Sequence, residues 1–171
     1  MKINKLHWLA LLVIGIGTQG CKKMNEELFP LAGTWKPAAE RTTRIQYVSG
    51  GQTYDKAYTK TVTPSTTLLV FGKDGTFTEG SSNGTYALET INGEQRVALT
   101  SASGNSQSFA YELNGNVLNM NLVSVYEKMS ATDRLTVGKA MGAGLSSAAF
   151  PGLSSATSVK DIRVTFKYTR Q

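Results

Sequence analysis

Turn dipeptides recur at short intervals along this chain. Asn-Gly or Asp-Gly occurs at residues 74–75, 83–84, 92–93 and 114–115, and Gly-Gly occurs at residues 50–51. These pairs favour two-residue hairpin turns, because glycine and asparagine readily adopt the positive φ angles that such turns need. The segments between them are short and rich in Thr, Val, Tyr and Phe, which is typical of β-strands. The sequence therefore predicts antiparallel strands joined by tight turns.

Alternation of apolar and polar residues is clearest in the second half of the chain. Residues 109–113, 118–122 and 162–168 each place large apolar side chains at every second position. Because successive side chains of a strand point to opposite faces, each segment buries one face and leaves the other in water. We expect an all-β fold, an up-and-down meander of short antiparallel strands.

One segment departs from the strand pattern and predicts a short helix before the last strand. Ser130, followed by Asp133 three positions later, is typical of a helix N-terminus. Val137 and Met141 recur at helical spacing. We expect a helix over residues 131–141.

A Gly-, Ala- and Ser-rich stretch follows the predicted helix. The sequence Gly-Leu-Ser-Ser-Ala occurs at residues 144–148 and again at residues 152–156, and such a composition predicts a mobile loop. Residues 142–158 are either a tolerated surface insertion, which we favour, or a flap over the open end of the strands. As a flap, the stretch would cover the opening with its large apolar residues Leu145, Phe150 and Leu153.

The N-terminus has the three parts of a secretory signal. Lys2 and Lys5 precede an apolar run over residues 9–16, and small residues follow before Cys21. Gly20-Cys21 resembles the end of a bacterial lipobox, which implies that residues 1–20 are removed and that a lipid is attached to the Cys21 sulfur. An odd cysteine in an exported chain also requires a use other than a disulfide. We expect a lipoprotein anchored in the membrane by its acyl chains.

The domain boundaries and the charge follow from this interpretation. Residues 21–30 form the lipidated N-terminus and a tether, and residues 31–171 form one domain. Loss of the two signal-peptide lysines lowers the net charge from +6 to +4. The remaining basic residues are scattered and the chain is exported, so we expect no nucleic-acid partner. Lys22 stands where an inner-membrane-retaining aspartate occurs in the best-known sorting rule, which favours the outer membrane, facing either the periplasm or the outside.

Three motifs resemble those of the lipocalin and calycin barrels. Gly33-Thr34-Trp35 resembles the Gly-x-Trp opening of that group. Phe-Gly-Lys-Asp-Gly-Thr-Phe at residues 71–77 and Gly-Thr-Tyr at residues 84–86 resemble strands of the lipocalin-like lipoproteins common in Bacteroidetes. The resemblance implies a lipocalin-like β-barrel that Gly33 and Trp35 close at one end. It implies about eight strands, then a helix, and then one last strand that returns to the first. It also implies a basic residue packed on the tryptophan, for which Lys128 and Arg134 are the candidates.

The residue inventory argues against catalysis. The only histidine, His7, is removed with the signal peptide, and Cys21 is used for lipidation. This excludes a Ser-His-Asp triad, a Cys-His pair and a histidine-based zinc site. Turn and helix-capping roles account for Asp74 and Asp133, and no glycine-rich phosphate loop is present. Three glutamates fall where the wet face of a strand is expected: Glu79, Glu89 and Glu112. We therefore expect no enzyme, no catalytic residue, no metal and no cofactor.

Aromatic residues are the remaining candidates for a binding function. They either line a cavity for a small hydrophobic ligand or fill a solid barrel, the alternative we favour for the interior. The first function is a membrane-anchored barrel that binds such a ligand, and the second is an inhibitor-like or envelope-assembly lipoprotein whose loops dock a protein partner. The sequence leaves both open and names no ligand. The aromatic candidates are Tyr47, Tyr54, Tyr58, Tyr86, Phe109, Tyr111, Phe166 and Tyr168.

Overall fold

A computed structural model describes residues 29–171. The predicted signal peptide, Cys21 and most of the predicted tether lie outside the described residues. The strands are β1 (Gly33–Ser49), β2 (Gln52–Thr61), β3 (Leu69–Phe71), β4 (Thr76–Glu79), β5 (Ser82–Ile91), β6 (Glu94–Ser101), β7 (Ser106–Asn114), β8 (Val117–Leu122) and β9 (Ser158–Arg170). Between β8 and β9 lie helices α1 (Ser124–Glu127) and α2 (Ala131–Leu145) and the 3-10 turn Leu153–Ser155.

The strands of the described chain form one antiparallel sheet that closes on itself. Its order is β2-β1-β3-β4-β5-β6-β7-β8-β9, and β9 also pairs with β1. The start of β1 pairs with β3, whereas residues 40–49 pair with β2 on that side. β2 therefore lies outside the closed ring as a hairpin extension. The predictions of an antiparallel meander, a helix before the last strand, and a last strand that returns to the first are confirmed.

Most hairpin turns lie where the sequence indicates. Asn92 and Gly93 have φ angles of +53° and +80° between β5 and β6. Positive φ at both central residues is the conformation that matches the twist of the flanking strands. Gly50-Gly51 and Asp74-Gly75 likewise lie between paired strands.

The Asn83-Gly84 pair is not a turn, so this part of the prediction was wrong. Both residues lie within β5, and the turn from β4 falls at residues 80–81, because Glu79 pairs with Ser82. A Cβ atom on Gly84 would lie 2.0 Å from the Thr100 carbonyl oxygen. Glycine is used here because another strand approaches closely, the usual meaning of a glycine inside a strand.

Large apolar side chains fill the interior of the ring. The buried residues of this first cluster come from seven strands around the ring and from the segment that precedes β1. Trp35, Leu31 and Val97 have no exposed surface, so the expectation of a filled interior is confirmed for this part of the ring. The first cluster comprises Leu31, Trp35, Leu69, Phe71, Phe77, Tyr86, Val97, Tyr111, Leu118 and Met120.

A second apolar cluster lies where β1 and β9 extend beyond the ring. Ile45, Tyr47, Val159 and Ile162 pack there with residues of the segment between α2 and β9, and apolar side chains of α2 cover them. The predicted N-terminus of α2 is confirmed, because the Ser130 hydroxyl accepts a hydrogen bond from the Asp133 N–H at 3.1 Å. The helix continues past the predicted end to residue 145, because tertiary packing outweighs the low helix propensity of its glycines.

Residues 142–158 are packed rather than loose, so the prediction of a loose surface insertion was wrong, and the alternative of a flap stays a prediction. Phe150 and Leu153 are only 2% and 3% exposed and belong to the second cluster. The Tyr47 hydroxyl donates to the Pro151 carbonyl oxygen at 2.6 Å, which fixes the segment to β1. A Cβ atom on Gly142 would lie 2.3 Å from Leu153 Cδ2, so the glycine gives the leucine room.

Candidate functional site

Trp35 is a fully buried member of the first cluster. Its indole N–H donates to the Leu31 carbonyl oxygen at 2.7 Å, which satisfies the polar atom of a fully buried ring. Gly33, two residues earlier, has a φ of +138°, a conformation that side chains rarely adopt. The Gly-x-Trp motif therefore combines a special backbone conformation with a buried aromatic anchor.

The basic residue that packs on Trp35 is Arg170, so the prediction of Lys128 or Arg134 was wrong. The Arg170 guanidinium lies 4.6 Å from the centre of the tryptophan ring and donates to the Pro30 carbonyl oxygen at 3.0 Å. Arg134 instead donates to the Lys160 carbonyl oxygen from α2. Arg170 was missed because its position depends on the pairing of the last strand with the first, where it stands opposite Trp35.

An open cleft of about 340 Å³ lies between the two apolar clusters. The residues of β9 show this position. Arg170 lies opposite Trp35 of the first cluster, and Ile162 belongs to the second cluster. Phe166 and Tyr168, which lie between them in the strand, line the cleft. Residues 62–65, which connect β2 to β3, form the opposite wall. The cleft therefore lies where β2 leaves the ring and β3 replaces it as the partner of β1.

A bulge in β1 shapes this cleft. Pro37 pairs with Tyr168 and Arg41 pairs with Phe166, so three residues of β1 lie opposite the single residue Lys167. Two extra residues bend the strand locally while keeping Pro37 and Arg41 on the face that lines the cleft. A bulge beside a concave surface is a common way to direct side chains into a site.

Aromatic side chains form the floor of the cleft. Phe109 and Tyr168 pack against the first cluster from its edge and also line the cleft, as does Phe166. The remaining aromatic candidates have other positions: Tyr86 and Tyr111 lie in the filled interior, and Tyr47, Tyr54 and Tyr58 lie in or against the second cluster. Phe109, Phe166 and Tyr168 are therefore the candidates that line this cleft.

Charged residues surround the aromatic floor. The Arg41 guanidinium lies 4.9 Å from the centre of the Phe166 ring, within the range of a cation–π contact. Lys167 and Glu40 form an ion pair at 2.9 Å. Arg41 and Glu79 form no ion pair with any residue in the described range 29–171. The cleft therefore contains one ion pair, Glu40–Lys167, together with one cation and one anion, Arg41 and Glu79, that can interact with a ligand.

Glu79 is exposed, as the sequence predicts, and it lies beside the cleft. It lies two residues after the buried Phe77 on the same strand, so the two side chains share a face. Glu79 pairs with Leu69, which is 1% exposed, and it lines the cleft. Because β4 ends here, the carboxylate reaches solvent at the edge of the interior.

Both Glu79 and Arg41 affect the pKa of the Tyr168 phenol. Burial raises the pKa of Tyr168 to about 12, Glu79 adds to the increase, and Arg41 opposes it. Desolvation and a nearby anion both disfavour the phenolate. Tyr168 therefore remains a neutral hydroxyl at physiological pH and offers the cleft a hydrogen-bond donor and acceptor.

A network of ion pairs on the outer face is the other cluster of charge. Arg96, only 7% exposed, bonds Glu94 at 3.0 Å and Glu127 at 2.6 Å. Arg163 bonds Glu94 at 2.6 Å and Asp161 at 2.8 Å. Hydrogen bonding to Arg96 is the main cause that lowers the pKa of the Glu127 carboxyl. Each of these carboxylates has a cationic partner, and the network links α1, β6 and β9.

Asp74 and Asp133 have the structural roles that the sequence predicts. Asp74 accepts hydrogen bonds from the Thr76 N–H and hydroxyl in the turn between β3 and β4. Asp133 lies in the first turn of α2 and accepts a hydrogen bond from the Ser130 hydroxyl at 2.7 Å. Among residues 29–171, no group of three or more His, Cys, Asp or Glu side chains could hold a metal ion. No helix in that part of the chain is long and apolar enough to cross a membrane.

Comparison with known proteins returned no significant match to a family model, a curated protein or a solved structure.

Proposed function

We propose that this chain is an outer-membrane lipoprotein whose lipocalin-like β-barrel binds a small molecule in the cleft. The observation that carries the proposal is the 340 Å³ cleft with its floor of Phe109, Phe166 and Tyr168. Ligand sites are typically concave, with apolar and aromatic walls and a few polar groups, and their volumes begin at about 300 Å³. The binding function is non-catalytic.

The proposed ligand site is at the edge of the ring and is not a deep central cavity. Side chains of the first cluster occupy the interior, so the ligand lies at the edge of the ring rather than inside it. The closed strand ring, the buried Trp35 and the Arg170 side chain over it support the lipocalin-like assignment. The lipid anchor at Cys21 is proposed from the signal sequence, since that residue lies outside the described range.

Binding of the neutral, environment-sensitive dye Nile red tests the ligand function. We expect the wild-type protein to increase dye fluorescence at low micromolar to millimolar protein concentration, the range of modest small-ligand sites. Ala38 is half-buried and lines the cleft, so Ala38→Trp should fill the space and abolish binding.

The matched control is Ala87→Trp, which adds the same side chain at an exposed position of β5. Its dye binding should equal that of the wild type. Absence of dye binding by the wild type, or equal binding by both tryptophan variants, would contradict the proposal. Thermal melting of both variants establishes that they are folded.

A protein partner is the second candidate function. The filled interior favours it, as does β2, which pairs only with β1 and leaves its other edge unpaired within the described sheet. Unpaired strand edges can accept a strand from another chain. If the wild-type protein binds no Nile red, this alternative becomes the leading one.

A further inference from the structure

The charges at the cleft specify a class of ligand more narrowly than its aromatic floor does. Four charged residues line the cleft, and two of them, Glu40 and Lys167, neutralise each other at 2.9 Å. Arg41 and Glu79 form no ion pair with each other or with any other residue of the described chain. The cleft therefore presents one free positive group and one free negative group around a shared apolar floor.

A singly charged ligand fits this arrangement poorly. An anion that Arg41 attracts is repelled by Glu79, and a cation that Glu79 attracts is repelled by Arg41. The two effects offset each other in one cleft, since both charges act over distances of several ångströms. A neutral apolar ligand would use the floor but leave both charges with water alone.

We propose that the cleft binds a small dipolar amphiphile, with its anionic group at Arg41, its cationic group at Glu79 and its apolar part on Phe109 and Phe166. This inference rests on the proposed binding function and names its ligand class. The volume of about 340 Å³ is near the lower end for ligand sites, so the ligand is of the size of an amino acid with an aromatic or large apolar side chain. The Tyr168 hydroxyl adds one neutral polar partner.

The contact between Arg41 and Phe166 supports this assignment of roles. The guanidinium lies over the ring at 4.9 Å, so its position is set by the strand bulge and by an aromatic surface rather than by a carboxylate. An arginine held in this way keeps its N–H donors for a ligand carboxylate, which it can bind with two parallel hydrogen bonds.

A matched series of indole compounds separates the effect of charge from that of shape. Tryptophan is zwitterionic, indole-3-propionate carries only the anionic group and tryptamine carries only the cationic group, while all three share the same ring. Each is titrated against the Nile red complex of the wild-type protein, and displacement of the dye reports binding. We expect tryptophan to bind roughly threefold to fivefold more tightly than either singly charged compound, as expected for one additional exposed charge pair.

Two variants test which cleft residue binds which charged group of the ligand. Arg41→Gln should reverse the order so that tryptamine binds most tightly, and Glu79→Gln should make indole-3-propionate the tightest. Both residues are exposed, so the fold should tolerate the changes. Lys73→Gln and Glu112→Gln remove charges of the same sign outside the cleft and should leave the wild-type order unchanged.

The outcomes distinguish this inference from the proposed function on which it rests. If Nile red binds but a singly charged compound displaces it as well as tryptophan does, the dipolar ligand is excluded and the binding function stands. Equal effects of the cleft variants and their controls would also overturn the inference. If Nile red does not bind to the wild-type protein, the binding function fails, and the inference fails with it.

Discussion

Replacing Leu153 with alanine should lower the free energy of unfolding by about 2–5 kcal/mol, the range for truncating a buried leucine. The side chain is 3% exposed and packs in the second cluster, which joins β1 and β9 to the segment after α2. Urea unfolding followed by far-UV circular dichroism measures the change, and the exposed neighbour Ser154 provides a control. Ser154→Ala should change the free energy of unfolding by less than about 0.5 kcal/mol.

A double-mutant cycle makes the test specific to the observed contact. A methyl group on Gly142 would lie 2.3 Å from Leu153 Cδ2, so Gly142→Ala alone should cost about 1–3 kcal/mol from overpacking, offset by about 1 kcal/mol of helix propensity. In Leu153→Ala the same methyl group enters vacated space. The double variant should therefore be more stable than the sum of the single changes by at least about 1 kcal/mol.

A loss of less than about 1 kcal/mol for Leu153→Ala would refute the reasoning, because only a loosely packed surface segment tolerates such a truncation. Strict additivity in the cycle would show that Gly142 and Leu153 do not touch. The first result would restore the interpretation of residues 142–158 as a tolerated insertion.

Three further predictions concern other parts of the chain. Trp35→Ala should cost about 3–5 kcal/mol in chemical denaturation, because the ring is fully buried; a loss under about 1 kcal/mol would contradict its anchoring role. Cys21→Ser should abolish incorporation of a fatty-acid analogue in cells, and a wild-type protein that takes up no label would exclude lipidation. Because the folded state raises the pKa of Tyr168 from 10.0 to about 12, it holds a proton that the unfolded chain releases, so stability should fall as the pH rises above 10. Tyr168→Phe should reduce this fall, as measured by urea unfolding between about pH 9 and pH 11.

Local chemistry explains why much of the fold could be predicted from the sequence. The turn at Asn92-Gly93 and the capping of α2 by Ser130 each depend on residues close together in the chain. The alternation in β7, β8 and β9 likewise reports one buried face without reference to distant partners. These signals predicted the antiparallel strands and the helix, whereas the return of the last strand to the first was implied by the resemblance to lipocalin barrels.

Composition misled where distant contacts determine the structure. Residues 142–158 are rich in Gly, Ala and Ser, which favours a mobile loop when only neighbours are considered. The contacts that hold them come from β1, since Tyr47 bonds Pro151 across 104 positions of sequence and Ser49 bonds Ser155 across 106. The same limit applies to Arg170, because its partner Trp35 is near the start of the domain in sequence although the two side chains are in contact.

The sequence contains one indication of the cleft. Its two charged residues without an ion pair in the described chain, Arg41 and Glu79, each lie an even number of positions from a buried residue of the same strand. Arg41 is an even number of positions from Trp35 and from Ile45, both fully buried, and Glu79 is two positions from Phe77. The bulge in β1 adds two residues and so preserves the phase. A charged side chain at a position whose period predicts burial must be neutralised, reach solvent or face a ligand. Arg41 and Glu79 are exposed and line the cleft, so they meet this condition at the one place where the apolar floor also reaches solvent.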